Sequence, residues 1–274
     1  MSRKRYSMRL IISISFIVLM ISTVSIIAYI VFGNWKKSVD TTIIKMQDQT
    51  SDEIYNEIEA LVSAPLYINE INHTFIEKDI IDLNDKKERE AYFASIIQSN
   101  SEEIYSFSYG TENGEYYGAR RNKDKQIEIY RSDETTGGNS VYYTVTKDLT
   151  EGDFVKNFGK FDPRTRDWYA LAKKKRKPIF SPIYKHFVKD DLAISAAYPI
   201  YSEGRLKGVM GTHITLSSLN KCLNDIVEDK EAIAYILEKD SGNLVANSYE
   251  EPNFKIIDGQ FKRTGINGKW YESK

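Results

Sequence analysis

The residues best suited to bind a small charged molecule are concentrated in one short segment. It reads Phe161-Asp162-Pro163-Arg164-Thr165-Arg166-Asp167-Trp168-Tyr169, and Tyr184 follows it. Arginine offers a rigid fork of N–H donors that matches a carboxylate through two hydrogen bonds. Tryptophan and tyrosine add flat apolar walls and a hydroxyl. The segment therefore has the residue types of a pocket for a small carboxylate.

The same segment also allows a structural interpretation, in which Trp168 and Tyr169 are core residues and Arg166 pairs with Asp162. No catalytic residue is predicted, because no nucleophile is accompanied by a base that would activate it. The three histidines are far apart in the sequence and there is one cysteine, so we predict no metal site, no disulfide and no cofactor. An enzyme on the cell surface is therefore the weakest alternative.

An apolar segment near the N-terminus indicates where this pocket lies. Residues 10–32 carry no charge and are long enough, at about 1.5 Å per residue, to cross a hydrocarbon core of about 30 Å. Four basic residues precede the segment and two follow it, which predicts a cytoplasmic N-terminus (residues 1–9) and an extracytoplasmic remainder. A cleaved signal peptide is the alternative, but its apolar region is usually only about 7 to 15 residues long. We predict an uncleaved, single-pass anchor in the plasma membrane.

A long amphipathic helix is predicted to follow the membrane segment. Residues 33–65 form this stalk, since residues 35–64 lack proline and glycine and carry apolar residues at roughly helical spacing. Pro65 is expected to end the helix. The apolar stripe is not a strict heptad, so a long coiled coil is not predicted. Part of the stripe is predicted to contact a second copy of the chain in a homodimer.

The rest of the chain reads as short strands and short helices. Helices are predicted over residues 91–100, 166–175 and 216–227, and strands over 104–109, 115–121, 126–131, 141–145, 191–201 and 205–215. Strands over 232–238 and 244–247 begin a further β unit. We predict an α+β fold with one module at residues 66–229 and an incomplete second module at residues 230–274. Because no output motif is present, we expect either that the natural protein continues or that its gene is truncated.

These residues resemble the double Cache (dCache) sensor domains of bacterial transmembrane receptors, over about residues 35–274. The resemblance rests on the Asp162-to-Tyr169 segment, Tyr184, and Gly208-Val209-Met210-Gly211-Thr212-His213-Ile214. It implies two stacked PAS-like α/β modules on a long helix, with the ligand in the membrane-distal module. Many family members bind α-amino acids, and their motif implies that Arg166, Trp168 and Tyr184 hold the ligand carboxylate while Tyr169 shapes the pocket.

Two positions depart from the family pattern and change the expected ligand. Phe161 stands where an aromatic residue with a hydroxyl is expected, and His213 replaces the aspartate that normally meets the ligand ammonium. Loss of one partner of a buried ion pair costs about 3–5 kcal/mol, so we expect weak amino-acid binding and better binding of a carboxylate without an ammonium. His213 would add a second donor, and an ordinary pKa of about 6.5 would make binding pH-dependent. Alternatively, His213 is a hydrogen-bonded strand residue without ligand contact.

The predicted function is extracytoplasmic sensing of a small molecule, either a carboxylate or an amino-acid-like compound, by a membrane signalling receptor. A net charge of −1 gives no basic surface, so no nucleic-acid partner is predicted. By resemblance the output is a diguanylate cyclase, a histidine kinase or a chemoreceptor signalling domain, with the cyclase preferred. The main alternative is a ligandless dimerisation ectodomain, which the departures at Phe161 and His213 favour.

Overall fold

The N-terminal part of the chain is one long helix. The computed structural model describes residues 7–230, 232–239, 241–249, 252, 254–257, 260–264 and 270–272. The chain divides into two compact units, residues 1–53 and 54–274, and the described part of the first unit belongs to helix α1 (Met8–Glu77). This helix is long and apolar enough to cross a membrane, and none of its most apolar window is buried. An exposed apolar segment of this length is typical of a membrane-spanning helix.

Helix α1 continues past Pro65, where the sequence pattern predicted its end. Proline inside a helix removes one backbone hydrogen bond and costs about 3 kcal/mol or more. The turns that follow offset this cost, because Ile68 and Ile76 are buried in the main hydrophobic cluster of the second unit. The prediction that the helix ends at Pro65 is therefore wrong, since tertiary packing carries the helix on to Glu77.

The second unit is built around an antiparallel sheet of nine strands in the described part of the chain. Its elements are α2 (Lys86–Ser99), β1 (Ile104–Thr111), β2 (Tyr116–Arg121), β3 (Ile127–Ser132), β4 (Asn139–Val145), β5 (Glu151–Lys160), α3 (Asp167–Lys175), β6 (Ile179–Phe180), β7 (Tyr184–Lys185), β8 (Leu192–Ser202), β9 (Arg205–Thr215) and α4 (Leu216–Val227). The strand order is β5-β4-β3-β2-β1-β9-β8-β6, and β7 also pairs with β8. The predicted α+β fold, a long N-terminal helix followed by a PAS-like module, is confirmed.

Strand β5 was not predicted from the sequence. It forms one edge of the sheet, and the side chains from Asp153 to Asn157 are exposed. A strand that buries little shows no alternation of apolar and polar residues, and that alternation is the signal by which strands are recognised. The neighbouring strand β4 is more deeply buried and was predicted, although it begins two residues earlier than expected.

The C-terminal region adds two small sheets. Strands β10 (Tyr235–Leu237) and β11 (Leu244–Asn247) pair with each other, and β12 (Phe254–Ile257), β13 (Gln260–Thr264) and β14 (Trp270–Glu272) form the second sheet. Ala234 and Ala246 pack with Leu223 of α4 and Leu61 of α1 in one apolar cluster. The division into modules at 66–229 and 230–274 stays a prediction. Residues 1–6 of the predicted cytoplasmic N-terminus, and positions within 230–274, lie outside the described residues.

The two faces of the large sheet have different coverings. Phe107 and Tyr117 face the side covered by α1 and α2. Tyr116 and Tyr130 face the other side, where they cluster with Trp168 of α3. Neighbouring residues such as Tyr116 and Tyr117 point to opposite faces because side chains alternate along a strand. Each face therefore offers a separate place for a binding site.

Candidate functional site

Five of the six predicted site residues line one small cavity on the α3 face of the sheet. They come from different elements: Phe161 from the segment before α3, Arg166 and Trp168 from the start of α3, Tyr184 from β7 and His213 from β9. The cavity has a volume of about 30 Å³. The fold thus brings together residues that lie up to 52 positions apart in the sequence.

Arg166 lies at the N-cap of α3 without a charged partner. Asp162 is occupied by Arg164: it accepts a hydrogen bond from the Arg164 backbone N–H at 2.9 Å, and its carboxylate lies 2.7 Å from the guanidinium. This excludes the pairing of Asp162 with Arg166, whereas Trp168 and Tyr169 are buried as the structural interpretation expects. The Arg166 guanidinium has no hydrogen-bond or carboxylate partner among the described residues. It contacts two neighbouring rings, Phe161 and Phe187, 4.9 and 4.8 Å from their centroids, and these centroids are 5.0 Å apart.

A second arginine, Arg120, lines the same cavity. It is buried, and its Nε donates to Glu128 Oε2 at 2.9 Å while its Nη1 donates to the Tyr105 hydroxyl at 3.1 Å. Its guanidinium also stacks on Tyr142, 4.0 Å from the ring centroid. Within the described part of the chain, no aspartate or glutamate lines the cavity. The cavity therefore suits an anionic group.

His213 is buried with both ring nitrogens hydrogen-bonded. Its Nε2 lies 2.9 Å from Ser108 Oγ, and its Nδ1 lies 2.5 Å from Ser195 Oγ and 3.3 Å from the Tyr184 hydroxyl. Burial lowers the pKa of His213 to about 3, so the ring stays neutral at physiological pH. The expectation that His213 makes ligand binding pH-dependent is therefore wrong, because burial moves the pKa of this residue far below the physiological range.

Tyr184 and Tyr169 have different surroundings. The Tyr184 hydroxyl lies 2.7 Å from Ser195 Oγ and belongs to the network around His213. Tyr169 lies outside the cavity, because it follows Trp168 in α3 and a helix turns by about 100° per residue. Its hydroxyl donates to Glu112 Oε2 at 2.9 Å, in the turn after β1. The pocket-shaping role implied for Tyr169 is corrected: this residue anchors α3 to the sheet.

Sequence reasoning missed the tyrosines that form another wall of the cavity. Tyr116, Tyr130 and Tyr142 lie on adjacent strands, with ring centroids 5.2 and 4.8 Å apart. The registry of β2, β3 and β4 aligns them on one face. The alternation within each strand was readable, but nothing in one sequence specifies which strands are neighbours or how they are aligned.

The size of the cavity bears on what can enter it. A volume of about 30 Å³ accommodates roughly two water molecules, since one water needs about 10–15 Å³. A carboxylate with several carbon atoms needs the two rings beside Arg166 to move outward. Phe187 is 39% exposed and Phe161 is half-buried, so neither ring is fully enclosed by the protein.

Comparison with known proteins places the chain in a family. Residues 67–221 match the family model described as methyl-accepting chemotaxis protein-like, first PDC sensor domain. The chain belongs to this family. Methyl-accepting chemotaxis protein PscA of Pseudomonas syringae pv. tomato is 29% identical over 97 residues, which cover 35% of this chain and 15% of PscA. The chain thus matches only a small part of the length of this relative.

Solved structures of chemoreceptor domains share the fold. The ligand-binding domain of Campylobacter jejuni chemoreceptor Tlp3 in complex with L-valine is 15% identical, with a TM-score of 0.50 over 83% of this chain and 88% of that chain. Methyl-accepting chemotaxis protein X is 18% identical, with a TM-score of 0.51 over 76% of this chain and 75% of that chain. The predicted membership of the dCache-like sensor family is confirmed. These relatives are chemoreceptors and lend no support to the preferred diguanylate cyclase output.

Proposed function

We propose that this chain is the extracytoplasmic sensing region of a chemoreceptor-type membrane receptor, and that the cavity beside Arg166 binds a small carboxylate. The guanidinium of Arg166, which has no carboxylate partner among the described residues, carries this proposal. A partly buried cation is costly without a counter-ion, and a ligand carboxylate would supply one. Family membership supports a sensor, the exposed apolar part of α1 supports an anchor, and the excess of basic residues before it supports a cytoplasmic N-terminus.

A carboxylate without an ammonium group fits this cavity better than an α-amino acid. An ammonium needs a buried acceptor of negative charge, and position 213 carries a neutral imidazole whose nitrogens are already bonded to hydroxyls. Arg120 adds a second positive charge to the lining, and Glu128 behind it balances this charge. The Tlp3 domain is in complex with L-valine, and we propose that His213 shifts this chain away from such ligands.

We infer that ligand binding reaches helix α1 through Asn69. Ser195 and His213 lie on the cavity face of β8 and β9, and the next residues along these strands, Ala196 and Thr212, face α1. Asn69 Nδ2 donates to the Ala196 carbonyl at 2.9 Å, and Thr212 Oγ1 donates to Asn69 Oδ1 at 2.7 Å. A movement of the two strands is therefore passed to the helix. Such a ligand shifts the equilibrium between two conformations of the receptor. The size of this shift is set by the difference in the free energy of ligand binding between the two conformations.

We also propose that the chain acts as a homodimer, in which α1 contacts a second copy. Tyr67, Ile71 and Phe75 are spaced four residues apart, so they lie on one side of the helix. They remain 64%, 64% and 38% exposed. Asn69 and Ile76, which point away from this stripe, are buried. A second copy that emerges from the same membrane would present the same stripe at the same height.

A ligandless dimerisation ectodomain is the second candidate. The small volume of the cavity, about 30 Å³, favours it. In this case the aromatic cluster around Trp168 is a structural core, and Arg166 contributes only its contacts with the two phenylalanine rings.

Thermal unfolding of the full chain in lipid nanodiscs distinguishes the two candidates. The ligands tested are mono- and dicarboxylates, α-amino acids and purines. A ligand that binds only the folded state stabilises it by about 2.7 kcal/mol at 100 times its Kd. We expect carboxylates to raise the unfolding midpoint, and Arg166→Ala to abolish this shift. If the folded protein responds to no carboxylate, the ligandless candidate replaces the proposal.

A further inference from the structure

A large open groove lies on the sheet face opposite the Arg166 cavity. It has a volume of about 1110 Å³ and runs between residues 76–89, at the end of α1 and the start of α2, and the ends of β1, β2 and β3. Tyr109 and Tyr117, which are cross-strand partners in β1 and β2, lie side by side in it. The groove and the cavity share these two strands but none of their lining side chains.

Carboxylates outnumber cations among the described residues that line the groove. Six carboxylates and four cationic side chains line it. Three of these cations are already engaged: Arg89 donates to the Leu83 carbonyl and stacks 4.0 Å above the Tyr117 ring, while Lys86 and Arg131 both contact Glu151. In contrast, four carboxylates in the groove have no cation within ion-pair distance among the described residues: Asp79, Asp82, Glu115 and Glu134. Lys207 is the remaining cation of the lining.

Tyr109 provides an independent indication that the groove accommodates a polar ligand. The residue is only 5% exposed and lines the groove. Its hydroxyl has no hydrogen-bond partner in the part of the chain that the structure describes. The hydroxyl is not one of the fully enclosed polar atoms of the described residues, so it opens onto the groove. A donor held in the groove would satisfy this oxygen, and the neighbouring carboxylates require that donor to be cationic.

We propose that this groove binds an aliphatic polyamine. Its carboxylates are dispersed, since no three acidic, histidine or cysteine side chains among the described residues are close enough to hold a metal ion. A compact divalent cation is therefore a poor match, because it gathers several oxygens around one point. Ammonium groups separated by methylene chains can meet dispersed carboxylates one at a time. The ring of Tyr109 offers apolar surface to the methylenes and cation–π contact to an ammonium.

Calorimetric titration of spermidine into the full chain tests this proposal. The chain is held in nanodiscs of phosphatidylcholine, whose neutral surface does not attract polyamines. We expect saturable binding that Mg²⁺ at the same charge concentration does not displace. The double variant Asp79→Asn with Glu115→Gln should weaken it about tenfold, as expected for the loss of two partly exposed charge pairs. Asparagine tolerates the positive φ of 49° at position 79, so the backbone should be retained.

Two further variants complete the test. Asp148→Asn with Glu59→Gln removes two exposed acids outside the groove and should leave the affinity for spermidine unchanged. Lys207→Gln removes the unpaired cation of the lining and should tighten binding. The proposal is overturned if spermidine does not bind at millimolar concentration, if both double variants weaken binding equally, or if Mg²⁺ displaces the amine.

Discussion

Replacement of Arg166 by alanine should separate ligand binding from fold stability. The guanidinium has no ion pair within the described structure, and its contacts are two aromatic rings. At an exposed site each such contact contributes about 0.5–1 kcal/mol, so the free energy of unfolding should fall by only about 1–2 kcal/mol. The same change removes two charge-assisted hydrogen bonds to the ligand carboxylate, each contributing about 1.5–3 kcal/mol. The Kd for a carboxylate should therefore rise at least about 100-fold.

Arg164→Ala is the matched control. Arg164 lies two residues before Arg166, is 44% exposed in its side chain and pairs with Asp162 outside the cavity. An exposed pair of this kind contributes about 0–1 kcal/mol, and no loss of carboxylate affinity should accompany its removal. Calorimetric titration gives the affinities, and chemical unfolding of the full chain gives the stabilities. The reasoning is refuted if Arg166→Ala keeps its affinity within about threefold, or if Arg164→Ala loses as much.

Four other changes have defined outcomes. His213→Asp restores a buried carboxylate, so affinity for L-alanine should rise about 100-fold or more, and an unchanged Kd in calorimetry would contradict the role of this position. Asn69→Ala removes both hydrogen bonds to the strands and should lower the free energy of unfolding in urea by about 1–3 kcal/mol; a change below about 0.5 kcal/mol would show that this contact is weak. Burial lowers the pKa of His186 from 6.5 to about 3. As pH falls from 6.5 towards 3, the unfolded state takes up a proton that the folded state does not, so stability should fall by about 1.4 kcal/mol per pH unit for this group. His186→Asn keeps an acceptor for the backbone N–H groups and should reduce this pH slope, measured by urea unfolding at several pH values. Ile71→Cys, in a Cys222→Ser background, should form a disulfide-linked dimer in membranes, and failure to cross-link under oxidation would argue against the proposed α1 contact.

The sequence predicted elements well where burial and turn chemistry agree. Strand β9 and helix α4 have the bounds that were expected, because Gly204 marks the turn before the strand and the pattern changes from alternating to helical at Leu216. The prediction failed at Pro65, where packing outweighs local preference, and at β5, where the strand is too exposed to carry a pattern. Both failures have the same cause: local residue types do not report long-range contacts.

The candidate site was foreseeable only in part. The arginine-tryptophan-tyrosine segment and its resemblance to a sensor family identified Arg166, Trp168, Tyr184 and His213, and the structure brings these side chains to one cavity. Two features could not be read from spacing. Asp162 is equally available to both neighbouring arginines in the sequence, and only the backbone turn assigns it to Arg164. Arg120 enters the cavity only through the registry of β1 and β2.

By itself, then, the sequence determined the apolar helix and the α+β class, and it predicted a pocket for an anionic ligand. These follow from local composition, periodicity and residue chemistry. Only the tertiary structure decided that His213 is neutral, that Tyr169 lies outside the cavity and that Tyr109 and Tyr117 lie in a second, acidic groove. Burial, side-chain direction and strand registry determine these properties, and they arise from residues that are distant in the chain but adjacent in the fold.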